Sequence, residues 1–596
     1  MKFSDFKKNE PLKVIREFLS ISNQEIDDYL MKNNFILFID DILFNEKSRQ
    51  QIEELKKLIQ KYPKIQVIAT ADQVLENVVP TDYLEYNDVF NFNMAFIQNF
   101  SSSKIKELIV KWFAGREVDL QENMQKLIKS FIDFGLPKTP LTITMFLWIF
   151  EKQEKRPINN SVLVELFIEN LLEKTNIENI YSETFDFKNK QRLLSFISKY
   201  MKDKGNSDIS YSVDYVELLA FVKEYLSSRF HGQPQKVLDD LIRRGILTYE
   251  DDNLVRFKSA FFFHYFLALH FDYDNKFKAH VFSDENYLDY TEEINYYSGL
   301  KRDDLDVLLF TQEKLHEAFG DFNNDIKTNY TKVDSVLESK KKEGTVTFQI
   351  DETLAENKLS DKQMDEMYDD SLSQIPVQKI IPKKGKELLN TKQNVDLVLK
   401  LACNVLKNSE DVDDFEAKKL AYSNTLVSSI SFLMQYRDAL IVHNLKYKKQ
   451  PDNFPKNIDF NLFIKIIPLI HQVVIYNWLG SQKLRPVIID KINKDKITTN
   501  ISDLERFLSV FVYGDIKGAD YPELIKNFVK STKYNYLKDL SFLKLMSYYH
   551  LRTNSTELDK FYLKLMSEIG EDLGKVKTNG KSQFMRELEE KKKSSN

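Results

Sequence analysis

The sequence predicts a mostly α-helical chain that opens with a partial α/β unit, passes through a helical bundle and a helix-plus-ribbon segment, and ends in a long α-helical region. Three observations carry that expectation. Only 15 glycines and 14 prolines occur in 596 residues, against roughly 12% for the two together in ordinary domains, which leaves few β-turns. Two short apolar runs, "FILFI" at Phe35 to Ile39 and "IQVIATAD" at Ile65 to Asp72, flank one charged stretch, "SRQQIEELKKLIQKY", the pattern of two buried parallel strands joined by a helix. From about residue 101 onward apolar residues recur at helical spacing.

Taken in order, "PLKVIREFL" starts a helix at Pro11, a residue suited to the first turn, with Leu12, Ile15, Phe18 and Leu19 on one face. "SNQE", Ser22 to Glu25, is a capping box for a second helix carrying Ile26, Tyr29 and Leu30. The two strands follow, and a parallel pair places both C-terminal ends at the sheet edge where ligands bind. The first strand runs into Asp40 and Asp41. Helical segments "SKIKELIVKWF", "NMQKLIKSFIDF" and "PLTITMFLWIFEK" come next, broken by "GLPKTPL" with Pro137 and Pro140. Between 236 and 258 the chain reads as a helix stopped by Gly245, a strand Ile246 to Tyr249, a polar turn and a strand Leu254 to Phe257, which is the core of a winged helix.

Seven regions result: a partial α/β domain at 1–100, a helical domain at 101–235, the winged-helix core at 236–272, a helical connector at 273–345, an acidic linker at 346–386, an all-α sensor or interaction domain at 387–567, and a charged tail at 568–596. Residues 351–371, with eight acidic and two basic side chains, give the linker its character. No fixed-period repeat is evident.

Composition excludes several classes. Eighty-five basic against 90 acidic residues leave a net charge of −5, no global footprint for nucleic acid or an anionic membrane. A single cysteine, Cys403, rules out an intramolecular disulfide framework and fits a reducing compartment; within "LACNVL" it reads as a small buried side chain. "MKFSDFKKNEP" has no apolar core of a signal peptide. The most membrane-like stretch, "FNLFIKIIPLIHQVVIYNWLG", is interrupted by Lys465, Pro468, His471 and Gln472 and reads as a core helix. A cytoplasmic protein with no membrane partner is expected. His264 and His270, six apart, do not share a helix face and are expected in packing; no metal-ligand spacing and no G-x-S-x-G or Cys/His signature appears.

A strand ending in Asp40–Asp41, a third-strand segment ending in "IAT", a bundle with a GxP-type motif, a winged helix and a long helical region, in that order over residues 1 to 272, resemble the STAND NTPases, the signal-transducing branch of the AAA+ ATPases that includes NACHT and NB-ARC proteins. The fold class is then mostly α with an N-terminal partial P-loop NTPase-like unit. The resemblance implies ATP or ADP and Mg as ligands, with Asp40 ordering the magnesium and Asp41 polarising the attacking water. It further implies Thr70 as the residue sensing the γ-phosphate side and Pro140, or alternatively Pro137, packing on the base or ribose. Lys258 and Ser259 stand where the winged-helix histidine is expected to touch the β-phosphate. A nucleotide-gated switch follows, in which a signal at the C-terminal domain drives exchange and homo-oligomerisation to activate an effector, often in defence against phage.

This sequence departs from the pattern in three places. No window reads G-x-x-x-x-G-K-[ST]; "GKVKTNGKS", Gly574 to Ser582, has five residues between its glycines and lies in a lysine-rich stretch. The sensor strand continues into Ala71 and Asp72 rather than an arginine, and Ser259 replaces the histidine. Hydrolysis and nucleotide binding by this chain alone are therefore not expected unless a P-loop is supplied. Two explanations stand: an N-terminally truncated product, favoured because a sheet without its central strand leaves an exposed edge, or a non-enzymatic helical scaffold derived from the same fold. Simpler readings stand beside these roles. Aspartates often end strands, Pro137 and Pro140 can stop one helix and start the next, and Arg243 and Arg244, opposite Asp239, Asp240, Asp251 and Asp252, read as a solvated face rather than a DNA contact.

Overall fold

A computed structural model describes Phe6 and residues 10–40, 49–70, 100–114, 140–152, 160–173, 187–204, 211–227, 233–249, 253–338, 394–447, 460–551 and 555–593, with isolated positions between 123 and 131 and Asp365, Glu366 and Asp369. The chain divides into two compact units, Met1–Gln98 and Asn99–Asn596. Asp41, Ala71, Asp72, Pro137, Asp251 and Asp252 lie outside the described residues.

The first unit contains α1 (Glu10–Leu19), α2 (Ile26–Lys32), β1 (Phe35–Ile39), α3 (Arg49–Lys61) and β2 (Ile65–Ala69). The strands pair in parallel, Phe35 opposite Ile65 and Ile39 opposite Ala69, as the two apolar runs predict. Leu37 and Ile39 point into a core shared with Ile15, Leu30, Ile52, Leu55 and Tyr62. The alternate residues do not: Ile36, Phe38 and Ile68 are 50%, 63% and 52% exposed. Strands expected to be buried on both faces thus have helical cover on one, because α1 to α3 all contribute to a single core. Phe18, expected on the inner face of α1, is exposed as well. The capping box forms in half: Glu25 accepts from the Ser22 N–H at 3.0 Å, while the Ser22 hydroxyl donates to the same carboxylate at 2.7 Å instead of capping the helix. Asp27 accepts from the Tyr62 hydroxyl and from Lys61 at 3.0 Å, fastening α2 to α3.

In the second unit, α4 (Ser102–Trp112), α5 (Pro140–Lys152), α6 (Asn160–Glu173) and α7 (Phe187–Lys204) precede β3 (Val213–Asp214), α8 (Tyr215–Ser227), α9 (Pro234–Arg243), β4 (Leu247–Tyr249), β5 (Leu254–Phe257) and α10 (Ala260–His270). The three strands form an antiparallel sheet in the order β3-β5-β4. Gly245, at φ +71°, stops α9: its N–H bonds Ile242 O at 2.8 Å and the next N–H, of Ile246, reaches back to Leu241 O at 3.2 Å, a Schellman closure that needs the left-handed residue glycine supplies. Of the pair read as a solvated face, Arg243 is exposed, but the Arg244 side chain is enclosed, its Nε donating to Asp240 at 2.6 Å and its Nη1 to Leu171 O at 2.9 Å. Helix α10 is apolar all round and is buried among Phe167, Phe196, Phe257 and Phe271.

Then follow α11 (Asn275–Val281), α12 (Thr291–Leu300), α13 (Leu305–Thr328), α14 (Tyr330–Leu337), α15 (Val395–Asn408), α16 (Phe415–Tyr447), α17 (Phe460–Leu479), α18 (Arg485–Asp495), α19 (Asp503–Asp515), α20 (Tyr521–Ser531), α21 (Asn535–Leu551), α22 (Thr556–Asp572) and α23 (Lys581–Lys593). Buried amides tie them in register. Asn408 on α15 donates to Asn295 and Ser298 of α12 at 3.0 to 3.1 Å, and Asn323 on α13 exchanges bonds with Ser428 and Ser431 of α16 at 2.9 and 2.7 Å. Cys403 is fully buried, and burial pushes its thiol well up. Among the described residues α17 is the one helix long and apolar enough to cross a membrane by length and composition. It buries His471 and Gln472 against protein, Gln472 donating to Asp515 at 2.9 Å.

Two segments differ from the sequence reading. The charged tail is not wholly solvated: α23 buries Leu588 to 3% and sets Phe584 6.1 Å from Phe542 of α21, since leucine and phenylalanine four apart make one apolar stripe on an otherwise charged helix. Within the acidic linker, Asp365 and Asp369 are helical and bonded to α4. The glycine pair of "GKVKTNGKS" follows α22, not a strand. Leu588→Ala is expected to cost about 2 to 4 kcal/mol, read as a lower melting temperature by circular dichroism; a truly solvated tail would give no change.

Burial pushes the imidazoles of His270 and His471 down to about 4 and the Asp334 carboxyl up to about 6. The histidines fold neutral, so the stability they confer is complete above 6.5 and is lost as the pH falls toward 4. Asp334 has the opposite sign: its contribution is complete below 3.8 and is lost as the pH rises through 6. Between pH 6 and 4 the two oppose each other. His471→Leu should therefore flatten the acid loss of stability and Asp334→Asn should steepen it, measured as urea midpoints across that range.

Candidate functional site

At the C-terminal edge of the parallel pair the structure brings Asp40 and Thr70 together. The Thr70 N–H continues the ladder to Ile39 O at 3.0 Å, and this turns its hydroxyl onto Asp40 Oδ1 at 2.8 Å. Both residues are exposed. Parallel pairing in register produces this contact directly, since the residue after Ala69 must lie beside the residue after its partner Ile39. A carboxylate with one oxygen oriented by a hydroxyl can take a hard cation through the other, with water completing the shell. A single carboxylate is nonetheless a sparse set: no group of three or more His, Cys, Asp or Glu is placed to hold a metal ion among the described residues, and the sequence has no glycine-rich phosphate loop. Among the described residues no complete site for a magnesium nucleotide is assembled.

The other sequence-assigned residues lie in the second unit. Pro140 is the exposed first residue of α5, where its missing N–H costs nothing. Lys258 and Ser259 link β5 to α10. The Lys258 N–H bonds Ile246 O at 2.9 Å, and its exposed side chain reaches past Gly245 to within 3.4 Å of where a Cβ would stand. Ser259 is extended at the start of α10, with its carbonyl rather than its hydroxyl bonded, to the Phe262 N–H at 3.2 Å. Arg256 Nη1 donates to the carbonyls of Phe257 and Lys258 at 3.0 and 3.4 Å, so the entrance to α10 is basic.

One cluster has no counterpart in the sequence reading. His264 Nδ1 lies 2.8 Å from Glu293 Oε1 of α12. Burial pulls the imidazole down, but the Glu293 charge and hydrogen bond outweigh it and raise its pKa overall. Nearby Lys202 sits 4.9 Å and 5.4 Å from the rings of Tyr290 and Tyr211; burial lowers its pKa, with Glu293 opposing. Lys202, His264 and Glu293 are brought together by packing of α7, α10 and α12, and no sequence spacing signals it. His264 thus occupies the rim of the core, as expected, and its Nδ1 is engaged by a carboxylate rather than offered to an anion.

Residues 211–267 match the family model for Novel STAND NTPase 4. The match relates this chain to the STAND-class NTPases. It runs from Tyr211 through the three-stranded sheet and α9 into α10, so Lys258, Ser259 and His264 lie inside it and Asp40, Thr70 and Pro140 outside. No curated protein and no solved structure matches the chain. Glu293→Gln should lower the titration midpoint of His264, followed by NMR of selectively labelled histidines; an unmoved His264 would mean that the pair does not form in solution.

Proposed function

We propose that the chain is the switch portion of a STAND-type signalling protein in which the nucleotide chemistry has been reduced. The match over residues 211–267 carries the reading. Its helix-and-ribbon segment, α9 with β4 and β5, serves as the winged helix at 236–272, with Lys258 and Ser259 at the entrance to α10 facing the phosphate side. The first unit serves as a partial P-loop NTPase-like fold, in which Asp40 is the magnesium-ordering carboxylate, Thr70 orients it and Asp41 adds the second charge. Pro140, or alternatively Pro137, packs on the base or ribose. In the family Mg–ATP or Mg–ADP supplies the conformational signal; here nucleotide would act only with a phosphate-binding loop supplied to complete the site, and no hydrolytic step is assigned to these residues. The helical region at 387–567 receives a protein or other signal, and activation proceeds through homo-oligomerisation in the cytoplasm, in defence against phage. The net charge of −5 and the bonding of Arg243 and Arg244 to Asp240 argue against nucleic acid as a partner.

The rival function, a helical interaction scaffold derived from the same fold, rests on the incomplete site. Nucleotide content separates the two. Chain purified without added nucleotide and then denatured should release ADP if it is a switch, and Asp40→Ala should release less; neither protein should turn over ATP. If no nucleotide is released and Mg–ADP leaves the melting temperature unchanged, the scaffold is the function. ATP turnover that disappears in Asp40→Ala would overturn the assignment of an inactive site.

A further inference from the structure

Helix α4 is basic in composition, with Lys106 on the side opposite Lys104, which pairs with Glu107. Between Ser102 and Trp112 it carries Lys104, Lys106 and Lys111 against one acid, Glu107. Its apolar side, Ile105 and Ile109, is buried in the core, and Trp112 is pinned to Glu151 of α5 at 3.1 Å. Ser101 caps the helix by accepting from the Lys104 N–H at 3.4 Å, which leaves the Ser102 N–H without an intrahelical acceptor. That donor is met from more than 260 positions away in sequence. Asp369 Oδ1 accepts both the Ser102 N–H and the Ser102 hydroxyl at 2.8 Å, and Asp365 pairs with Lys106. Ser102 and Lys106 are four apart on α4, and Asp365 and Asp369, both helical, are four apart in sequence. The two pairs therefore run antiparallel, one helical turn separating them on each side. Neither is loosely placed: Ser102 is fully buried, and the Lys106 and Asp365 side chains are 17% and 24% exposed. The acids come from the chain's most acidic stretch, 351–371, and an anionic side chain at a helix N-terminus is favoured by the helix dipole as well as by Lys106.

We propose that the Ser102–Lys106 side of α4 is a docking site for an acidic helical peptide and that Asp365 and Asp369 of this chain are its built-in occupants, a strap that a peptide of the same acidic character competes with. The charge complementarity, the paired i, i+4 spacing on both elements and the long intervening chain argue for a latch rather than a local turn. This inference stands independently of the nucleotide reading.

The test uses the full-length chain and a fluorescein-labelled synthetic peptide of residues 360–373. In wild type the strap occupies the face and the peptide should bind weakly; in Asp365→Ala/Asp369→Ala the vacated face should bind it at least tenfold more tightly by anisotropy. That gain should fall as salt rises from 50 to 500 mM and vanish when Lys106→Glu is added. Independently, hydrogen exchange of the amides at residues 102–106 should quicken in the double variant and slow again on adding peptide. Equal peptide binding by wild type and double variant, or no binding by either, overturns the proposal, as does exchange at 102–106 that ignores both the substitutions and the peptide.

Discussion

Helix α12, ten residues long, is the element on which the second unit depends, because it is held by polar bonds on two sides. Toward the family-matched segment Glu293 takes His264; toward the C-terminal region Asn295 and Ser298 take Asn408. Apolar packing alone would let α10 and α15 slide along α12 at small cost, since leucine-like surfaces interlock in several registers. A buried carboxylate and a buried amide remove that freedom: each is costly to leave unmade and is satisfied in one arrangement. Moving the C-terminal helices therefore requires either breaking the Asn408 bonds or carrying α12 along, and carrying α12 along strains the Glu293–His264 contact. The two halves of the unit are coupled by hydrogen-bond geometry.

The same device recurs further into the C-terminal region with full charges. Asp515 is completely buried, as is most of Lys544, its partner at 2.9 Å, and Gln472 and Tyr548 each donate to the carboxylate at 2.9 Å. Lys491 lies between Asp495 and Glu505 at 2.6 and 2.7 Å, and burial raises both carboxyls against its pull. Removing two charges from water is expensive, and well-packed apolar residues would stabilise these interfaces at least as well. What the ionic groups add is a single permitted alignment of α17, α19 and α21, and of α18 with α19. Asp334 works similarly, accepting the N–H groups of Asp503 and Leu504 at 2.8 and 3.1 Å to cap α19 from α14.

Local signals in the sequence were sufficient wherever the structure is decided locally. The two apolar runs became a parallel pair in register, Gly245 closed its helix, Pro140 opened one, and the placement of Asp40 beside Thr70 follows from strand alternation and pairing. Features set by distant partners were not legible. Ile36 and Phe38 look like core residues until the helices are seen to cover one face, and Arg244 looks like surface until Asp240 and the Leu171 carbonyl are found around it. Phe584 and Leu588 are two apolar residues in a charged run, a signal too short for periodicity to register. The Lys202–His264–Glu293 cluster joins three helices across more than 90 positions, and only packing could reveal it.

The disposition of positive charge in the matched segment and its surroundings narrows what this region does. Arg243 and Arg244 are spent on Asp240, Lys190 approaches the same carboxylate at 3.3 Å, and Lys202 is enclosed by aromatic rings. An interface built to hold phosphates keeps its cations pointed at solvent and loosely bonded, so that a ligand can replace water without first breaking an ion pair. Here Arg244 and Lys190 close the protein on itself, and only Arg243 of the three around Asp240 faces solvent. The exposed basic residue among the family-implied positions is Lys258, placed over Gly245, where any side chain at that glycine would press on it. An anion reaching the entrance to α10 would meet Lys258 first and could move α10 only by working against His264 and Glu293. That pair is the polar contact that ties α10 to α12, and the Asn408 bonds tie α12 in turn to α15.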